Sequence, residues 1–197
     1  MKQWITLLAA SAVFTACTKQ DLQQEDLQNE NTARTTVMRS TQDGAYISDW
    51  EQYNTWTKGG DEKITTFSMM RKTSEINAGV TNGGLVLGYA KVVTSDPLYM
   101  HLSKPNMLPF YYLPESERPY PNTYYFSEEA LDGNIIITYR MPFTKANTAT
   151  LPGGASLENI QFQHVVLSKA FLESRGLDLQ TVQDNYSYDQ VMALLNQ

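Results

Sequence analysis

The chain contains one cysteine, Cys17, and therefore cannot form a disulfide within itself. Its folded part must be held together by an ordinary hydrophobic core, without the covalent links that many small exported domains use. Histidine is also scarce, because only His101 and His164 are present and neither lies in an HExxH motif or a paired Cys/His spacing. A histidine-based zinc site therefore has too few ligands to draw on, and we predict neither a metal nor a cofactor.

Motifs for nucleophilic catalysis and for nucleotide binding are missing as well. In the segment GASLE, Glu158 stands where a serine nucleophile elbow requires glycine. No P-loop lysine follows Gly83 and Gly84, and the segment GGLVLG lacks the spacing and the following helix of a dinucleotide fingerprint. We therefore predict no catalytic residues.

Histidine and paired carboxylates could still carry chemistry, but their positions favour structural roles. His164 shares one face of a predicted strand with Phe162 and Val166, which is typical of a hydrogen-bonded core or interface histidine. Glu128 and Glu129 precede a predicted turn without calcium-loop spacing, and nothing fixes the carboxyl separation that glycoside hydrolysis requires. We expect both glutamates to be solvated loop charges.

Basic residues are in the minority, with 15 Lys and Arg against 21 Asp and Glu and a net charge of −6. Nucleic acids and anionic lipid headgroups are bound by patches of Lys and Arg. The acidic balance argues against both as partners, and we predict no nucleic-acid binding.

The apolar run near the N-terminus, Trp4–Phe14, is 11 residues long, whereas a helix that spans a bilayer needs about 20. It follows Lys2 and is separated from Cys17 by two small residues. This order predicts a bacterial lipoprotein signal peptide over residues 1–16 and lipidation of Cys17, which would also account for the lone thiol. A plain secretory peptide that is cleaved elsewhere and an N-terminal core helix are the alternatives.

Residues 17–46 are rich in Gln, Asn, Asp, Glu and Thr. Such a composition cannot bury enough apolar surface to fold, so we predict a disordered polar tether that begins at the lipidated cysteine. As a coil of about 29 residues it would span roughly 30 Å. Residues 47–197 are then predicted to form a single β-rich domain with a helical C-terminal segment.

Short runs rich in Val, Ile, Thr and aromatic residues, separated by turn residues, predict strands rather than long helices. Their spacing favours a mainly β fold, a two-layer antiparallel β-sandwich with short C-terminal helices. The runs are Glu62–Met70, Gly84–Val93, Met107–Leu113, Thr123–Phe126, Asn134–Met141 and Asn159–Ser168.

Two of these runs carry more detail. The turn residues Asp132-Gly133 predict a hairpin that pairs Tyr124–Phe126 with Ile135–Tyr139. Gly84–Val93 is apolar on both faces, which is typical of a central strand. Its small residues Gly88 and Ala90 leave room for a large side chain, such as Trp50 or Trp56.

The C-terminal residues change to a helical period. Ser168 can cap a short helix that runs through Arg175, with Gly176 as its exit. Ser187-Tyr188-Asp189-Gln190 forms a capping box, and the apolar residues at 191, 194 and 195 then line one face. We expect this face to pack on the sandwich, the alternative being a helix that binds a partner.

Aromatic residues are dense between Tyr99 and Phe126, where five prolines separate them. Tyrosine combines an apolar ring with a polar tip, so it suits recognition of sugars or peptides as well as packing at the sheet surface. Both interpretations stay open. The candidate ligand or partner surface consists of Tyr99, Tyr111, Tyr112, Tyr120, Tyr124 and Tyr125.

The order of parts resembles a loosely defined group of uncharacterised exported lipoproteins of the Bacteroidota, which combine a signal, a polar tether, a β-rich domain, a late strand and a short helix. Here the last two parts are Phe162–Leu167 and Tyr188–Val191, and the acidic residues Asp21, Glu25 and Asp26 resemble a surface-export signal. The resemblance implies an address at the outer membrane, on its cell-surface or periplasmic face, and implies no activity.

We therefore expect a lipid-anchored envelope protein that acts as a non-enzymatic binding or structural module for an envelope protein or a glycan. The alternative is a hydrolase or another enzyme with an unfamiliar site.

Overall fold

The structure, a computed structural model, describes residues 36–42, 44–118, 124–142, 151 and 156–196. Short 3-10 helices occur at Pro97–Ser103, Glu115–Glu117 and Leu157–Asn159. The strands are β1 (Met38–Gln42), β2 (Ala45–Ser48), β3 (Glu51–Gln52), β4 (Thr57–Gly60), β5 (Ile64–Lys72), β6 (Leu85–Val92), β7 (Asn106–Met107), β8 (Phe110–Tyr111), β9 (Tyr125–Leu131), β10 (Asn134–Pro142) and β11 (Ile160–Leu167). The helices are α1 (Ala78–Thr81), α2 (Lys169–Ser174), α3 (Leu179–Asn185) and α4 (Tyr188–Leu195).

The strands of the described residues form two antiparallel sheets. The six-stranded sheet has the order β1-β2-β11-β6-β7, with β3 also paired to β11. The five-stranded sheet has the order β4-β5-β10-β9-β8. The predicted two-layer antiparallel sandwich is confirmed.

A hydrophobic core fills the space between the sheets. Along β10 every second side chain is buried, and these residues share a cluster with the inward side chains of β5, β6 and β11. The rings of Phe126 in β9 and Phe162 in β11 meet across this core with centroids 5.8 Å apart. Because every second side chain of a strand faces inward, each sheet forms one wall of the core.

The opposite face of the six-stranded sheet is covered by the C-terminal helices. Leu85, Leu87 and Tyr89 of β6 cluster there with Val182 and Val191 of α3 and α4. β6 is therefore buried on both faces, which explains its near-continuous apolar sequence. The prediction of a central strand is confirmed. None of the helices in the described ranges is long and apolar enough to cross a bilayer.

The predicted helix caps are confirmed. Phe171 donates its backbone N–H to the Ser168 hydroxyl at 3.1 Å, and α2 ends before Gly176, which has a φ of +61°. Ser187 and Gln190 form the reciprocal capping box of α4. Helix α3 was not among the predicted elements, although the Asp178 side chain caps it by accepting the Thr181 N–H.

The predicted hairpin is confirmed in its turn and its antiparallel pairing of β9 with β10, but its register differs: Phe126 lies opposite Tyr139, and Ile135 lies opposite Ala130, not within Tyr124–Phe126. Gly133 has a φ of +73° in the turn between them, a conformation that glycine adopts without strain. Ile135 is buried in the core, and Ile136 is partly exposed on the opposite face.

The predicted boundary at residue 46 is wrong. Strand β1 and the first two residues of β2 lie within the segment assigned to the polar tether, and β2 pairs with β11 at Val165–Leu167. β1 is a short edge strand in which Arg39 and Ser40 are exposed, so its composition resembles that of an unfolded segment. Residues 1–35, which include the predicted signal peptide, Cys17 and most of the tether, lie outside the described residues.

Candidate functional site

Two of the predicted tyrosines lie side by side on the outside of the sandwich. The register of β8 and β9 sets Tyr111 opposite Tyr125, and their ring centroids are 5.0 Å apart. The Arg118 guanidinium lies 3.8 Å from the Tyr111 ring centroid, and its Nε donates to the Leu113 carbonyl at 2.8 Å. Both tyrosines are partly exposed. We call Tyr111, Tyr125 and Arg118 the tyrosine patch.

The remaining candidates do not extend this patch. Tyr112 is only 2% exposed and its ring packs against Tyr99, so as a core residue it is not available to a ligand. Burial raises the pKa of Tyr112 to about 12. Tyr99 and Tyr124 are half-buried against the same core, and Tyr120 lies outside the described residues. Of the six predicted tyrosines, the structure brings two together at the surface.

A cleft adjoins the tyrosine patch where the two sheets meet at one edge. The predicted run 107–113 is split between the sheets, because the chain leaves β7 in one sheet and enters β8 in the other through Leu108-Pro109. The opening beside this crossing has a volume of about 190 Å³, and its exposed lining is more polar than apolar. We call it the edge cleft; it is lined by Val86, Leu87, Gly88, Met107, Leu108, Pro109, Tyr125, Ser127, Glu128, Ala130 and Gln183.

Glu128 is the charged residue of the edge cleft. Its side chain is only 7% exposed, and Oε2 lies 2.8 Å from His164 Nδ1 on the opposite sheet. A Cβ atom at position 88 would collide with this carboxylate, so the absence of a side chain at Gly88 is what lets Glu128 approach.

Two expectations from the sequence are therefore wrong. The space over Gly88 is filled by the Glu128 carboxylate and Leu108, whereas Trp50 packs on Tyr188 under the helices and Trp56 packs on Phe162. Glu128 is a buried partner of His164 rather than a solvated loop charge. Glu128 follows the inward-facing Phe126 by two residues, and residues two apart in a strand share a face. This spacing was the sequence signal that could have placed Glu128 correctly.

His164 joins Glu128 to Tyr53 in the middle of the core, as the prediction of a hydrogen-bonded core histidine requires. The imidazole is fully buried, and Nε2 lies 3.2 Å from the Tyr53 hydroxyl. An ionised carboxylate only accepts, so Nδ1 carries a proton and, in the neutral ring, Nε2 accepts from the Tyr53 O–H. Burial raises the pKa of Tyr53 above its usual value, so the hydroxyl keeps its proton. We call Glu128, His164 and Tyr53 the buried triad.

Hydrogen bonds continue from the buried triad through the six-stranded sheet. The His164 backbone N–H donates to the Ser48 hydroxyl at 2.9 Å, and Gln163 Nε2 donates to the Ser48 carbonyl at 2.9 Å. On the helix side, the Tyr188 hydroxyl donates to Gln163 Oε1 at 2.9 Å. The polar network therefore joins both sheets and α4.

The far side of the triad carries a positive charge. The Arg71 guanidinium lies 4.2 Å from the Tyr53 ring centroid and 3.9 Å from the Glu51 carboxylate. Arg71 is 6% exposed, and its Nε has no hydrogen-bond partner among the described residues. The Tyr53 ring also stacks on the Phe162 ring, with their centroids 5.3 Å apart. Tyr53 therefore packs against both Arg71 and Phe162.

The two histidines lie in different surroundings. Both imidazole nitrogens of His164 are used inside the triad, and His101 is exposed and outside the edge cleft. Within the described ranges no group of three His, Cys, Asp or Glu residues could hold a metal ion. The site thus combines a partly exposed aromatic patch with a cleft of mixed polarity that contains one carboxylate.

Comparison with known proteins adds no homologue to this picture. No protein-family model, no curated protein and no solved structure matches the chain. The function therefore has to be inferred from the residues of the site.

We expect Tyr53→Phe to lower the free energy of unfolding by about 1–3 kcal/mol, because it leaves the buried Nε2 of His164 without a partner. Tyr112→Phe is the matched control, since it removes a buried hydroxyl that no described residue bonds. The control should leave the free energy unchanged or raise it. Urea unfolding of both variants measures the difference, and equal losses would contradict the role assigned to the Tyr53 hydroxyl.

Gly88→Ala places a methyl group against the Glu128 carboxylate and should separate it from His164. Overpacking together with a broken buried pair predicts a loss of about 3 kcal/mol or more in the free energy of unfolding. Gly59→Ala also adds a methyl group within a strand, but there it meets only the Thr66 hydroxyl of an exposed edge, at 3.1 Å. Urea unfolding should show a change of about 0.5 kcal/mol or less for this control. Similar losses in both variants would show that Gly88 is not specially required.

Proposed function

We propose that the protein is a lipid-anchored component of the bacterial cell envelope whose β-sandwich binds a partner and catalyses no reaction. The anchor is the lipid on Cys17, and the address is the outer membrane. The polar segment that follows Cys17 separates the folded domain from the bilayer, while the negative net charge of −6 disfavours binding of the domain to anionic headgroups.

The observation that carries the binding role is the continuity of the tyrosine patch with the edge cleft. Tyr125 belongs to both, since its ring packs against Tyr111 at a tilted angle and it also lines the cleft. Tyrosine and arginine are enriched among the residues that dominate binding energy at interfaces. A partner that lies across Tyr125 can cover the patch and place one group in the cleft. Both an envelope protein and a glycan offer groups that stack on tyrosine.

A hydrolase is the second candidate, and one observation favours it. The carboxylate of Glu128 orients the His164 ring at 2.8 Å, as carboxylates do in catalytic dyads. A general base must reach its substrate within hydrogen-bond distance, however, and this imidazole has no exposed surface. Binding therefore accounts for the site better.

Cys17→Ser should abolish lipidation and release the protein from the membrane, because the thiol is the site of lipid attachment. Fractionation of cells that express each form measures this as a shift from the membrane pellet to the supernatant. Persistence of the Cys17→Ser protein in the pellet after a salt wash would contradict the anchor. Protease treatment of intact cells then distinguishes the two faces, since digestion before lysis indicates surface display.

Tyr125→Ala and Tyr111→Ala should each weaken partner binding by about tenfold or more, the effect of losing an aromatic anchor at an interface. The measurement is a titration of the purified full-length protein in detergent against arrays of envelope polysaccharides and of peptides. Tyr186→Ala, which changes a partly exposed tyrosine packed under the helices, is the control and should bind normally. Binding that is unaffected in both patch variants would overturn the proposed site.

A further inference from the structure

We propose that the ligand of this site is an extended basic peptide segment, an inference that rests on the binding function proposed above. The segment pairs with Ser127–Leu131 of β9 as an added strand and places a Lys or Arg side chain in the edge cleft, where it meets Glu128.

The first support is an open sheet edge. β8 pairs with β9 only at Phe110–Phe126 and Tyr111–Tyr125, after which the chain leaves the sheet at Pro109. Beyond that point no strand of the described ranges lies beside Ser127–Leu131 on the side away from β10. In an antiparallel strand, alternate N–H and C=O groups point to each neighbour. This stretch therefore presents backbone donors and acceptors that an extended peptide can bond.

The second support is the position of the cleft relative to that edge. A strand added in line with β8 would direct alternate side chains towards the space between the sheets, because successive residues of a strand face opposite sides. That space is the edge cleft, and its volume of about 190 Å³ suits a side chain rather than a large ligand. On the facing sheet, the edge of β6 pairs with β7 at Tyr89 and Ala90, and the Gly88 carbonyl accepts the Leu108 N–H at 2.8 Å.

The third support is charge. Glu128 is the only charged side chain among the described residues that line the cleft. Its Oε2 atom bonds His164, and no described residue donates to Oε1. The methylene stem of Lys or Arg can pack on apolar walls such as Val86, Leu108 and Ala130 while its charged end reaches the carboxylate.

A second copy of this chain is a poorer occupant of the same edge. The β9 sequence YFSEEAL contains two glutamates and no basic residue. Pairing β9 with itself would bring carboxylates of the two copies close together, and like charges across a strand pair are destabilising. A basic partner segment offers the complementary charge.

The test is selection of a random nonapeptide display library on the full-length protein in detergent, followed by titration of the selected peptides as synthetic, labelled compounds. We expect the selected peptides to share one Lys or Arg at a fixed position, and replacing it with Glu to weaken binding by about tenfold or more. N-methylation at alternate residues should weaken binding similarly, because it removes the backbone donors that face β9.

Two variants identify the carboxylate. Glu128→Gln retains an acceptor for His164 but removes the charge, so it should lose the preference for the basic residue. Glu129→Gln, the neighbour that is exposed on the other face, removes one negative charge equally and should keep that preference. Should Glu128→Gln fail to fold, the N-methylated peptides and the peptides with Glu in place of the basic residue still test the proposal on the folded wild-type protein.

Peptides that bind without a basic residue, or that bind equally well when N-methylated, would overturn the proposal. A protein that binds polysaccharide through Tyr125 but binds no peptide would overturn this inference and leave the binding function intact. A protein that binds neither peptide nor polysaccharide through Tyr125 would overturn both this inference and the proposed binding function.

Discussion

The hydrogen bond between Glu128 and His164 is the contact on which the rest of the structure depends. It joins the two sheets at 2.8 Å in a core that is mostly apolar. Removing two polar groups from water is costly unless each finds partners; here the carboxylate and the imidazole bond each other, and the Tyr53 hydroxyl bonds the second imidazole nitrogen. An apolar pair could stabilise the core as well, but it would not fix one sheet against the other at a single position.

The same contact links the core to the surface. Glu128 can reach His164 only because Gly88 has no side chain, and it ends at a cleft because β8 stops after two residues. A residue that is held by a buried histidine loses little freedom when a ligand arrives, since its position is already fixed. The buried triad can therefore position a binding group without taking part in any reaction.

Local signals in the sequence predicted the parts of the fold that depend on local physics. The Asp132-Gly133 turn and the Ser187 capping box are decided within a few residues, and both were found. The errors arose where burial depends on distant residues. β1 pairs with β2, and β2 pairs with β11 far along the chain; Glu128 is buried by His164, 36 positions along the chain. Adjacent residues of a strand such as Tyr111 and Tyr112 face opposite sides, but no local rule shows that Tyr111 meets Tyr125 and Arg118.

An open strand edge is a liability for a protein, because exposed backbone groups invite pairing with other chains. In β9 the open part is five residues long and contains Glu128 and Glu129, one facing the cleft and one facing solvent. Charges on an edge strand usually prevent unspecific pairing. Here the inward glutamate also has a structural role, since its carboxylate bonds His164 on the opposite sheet. The two glutamates disfavour pairing of this edge with a second copy of itself, because like charges across a strand pair are destabilising.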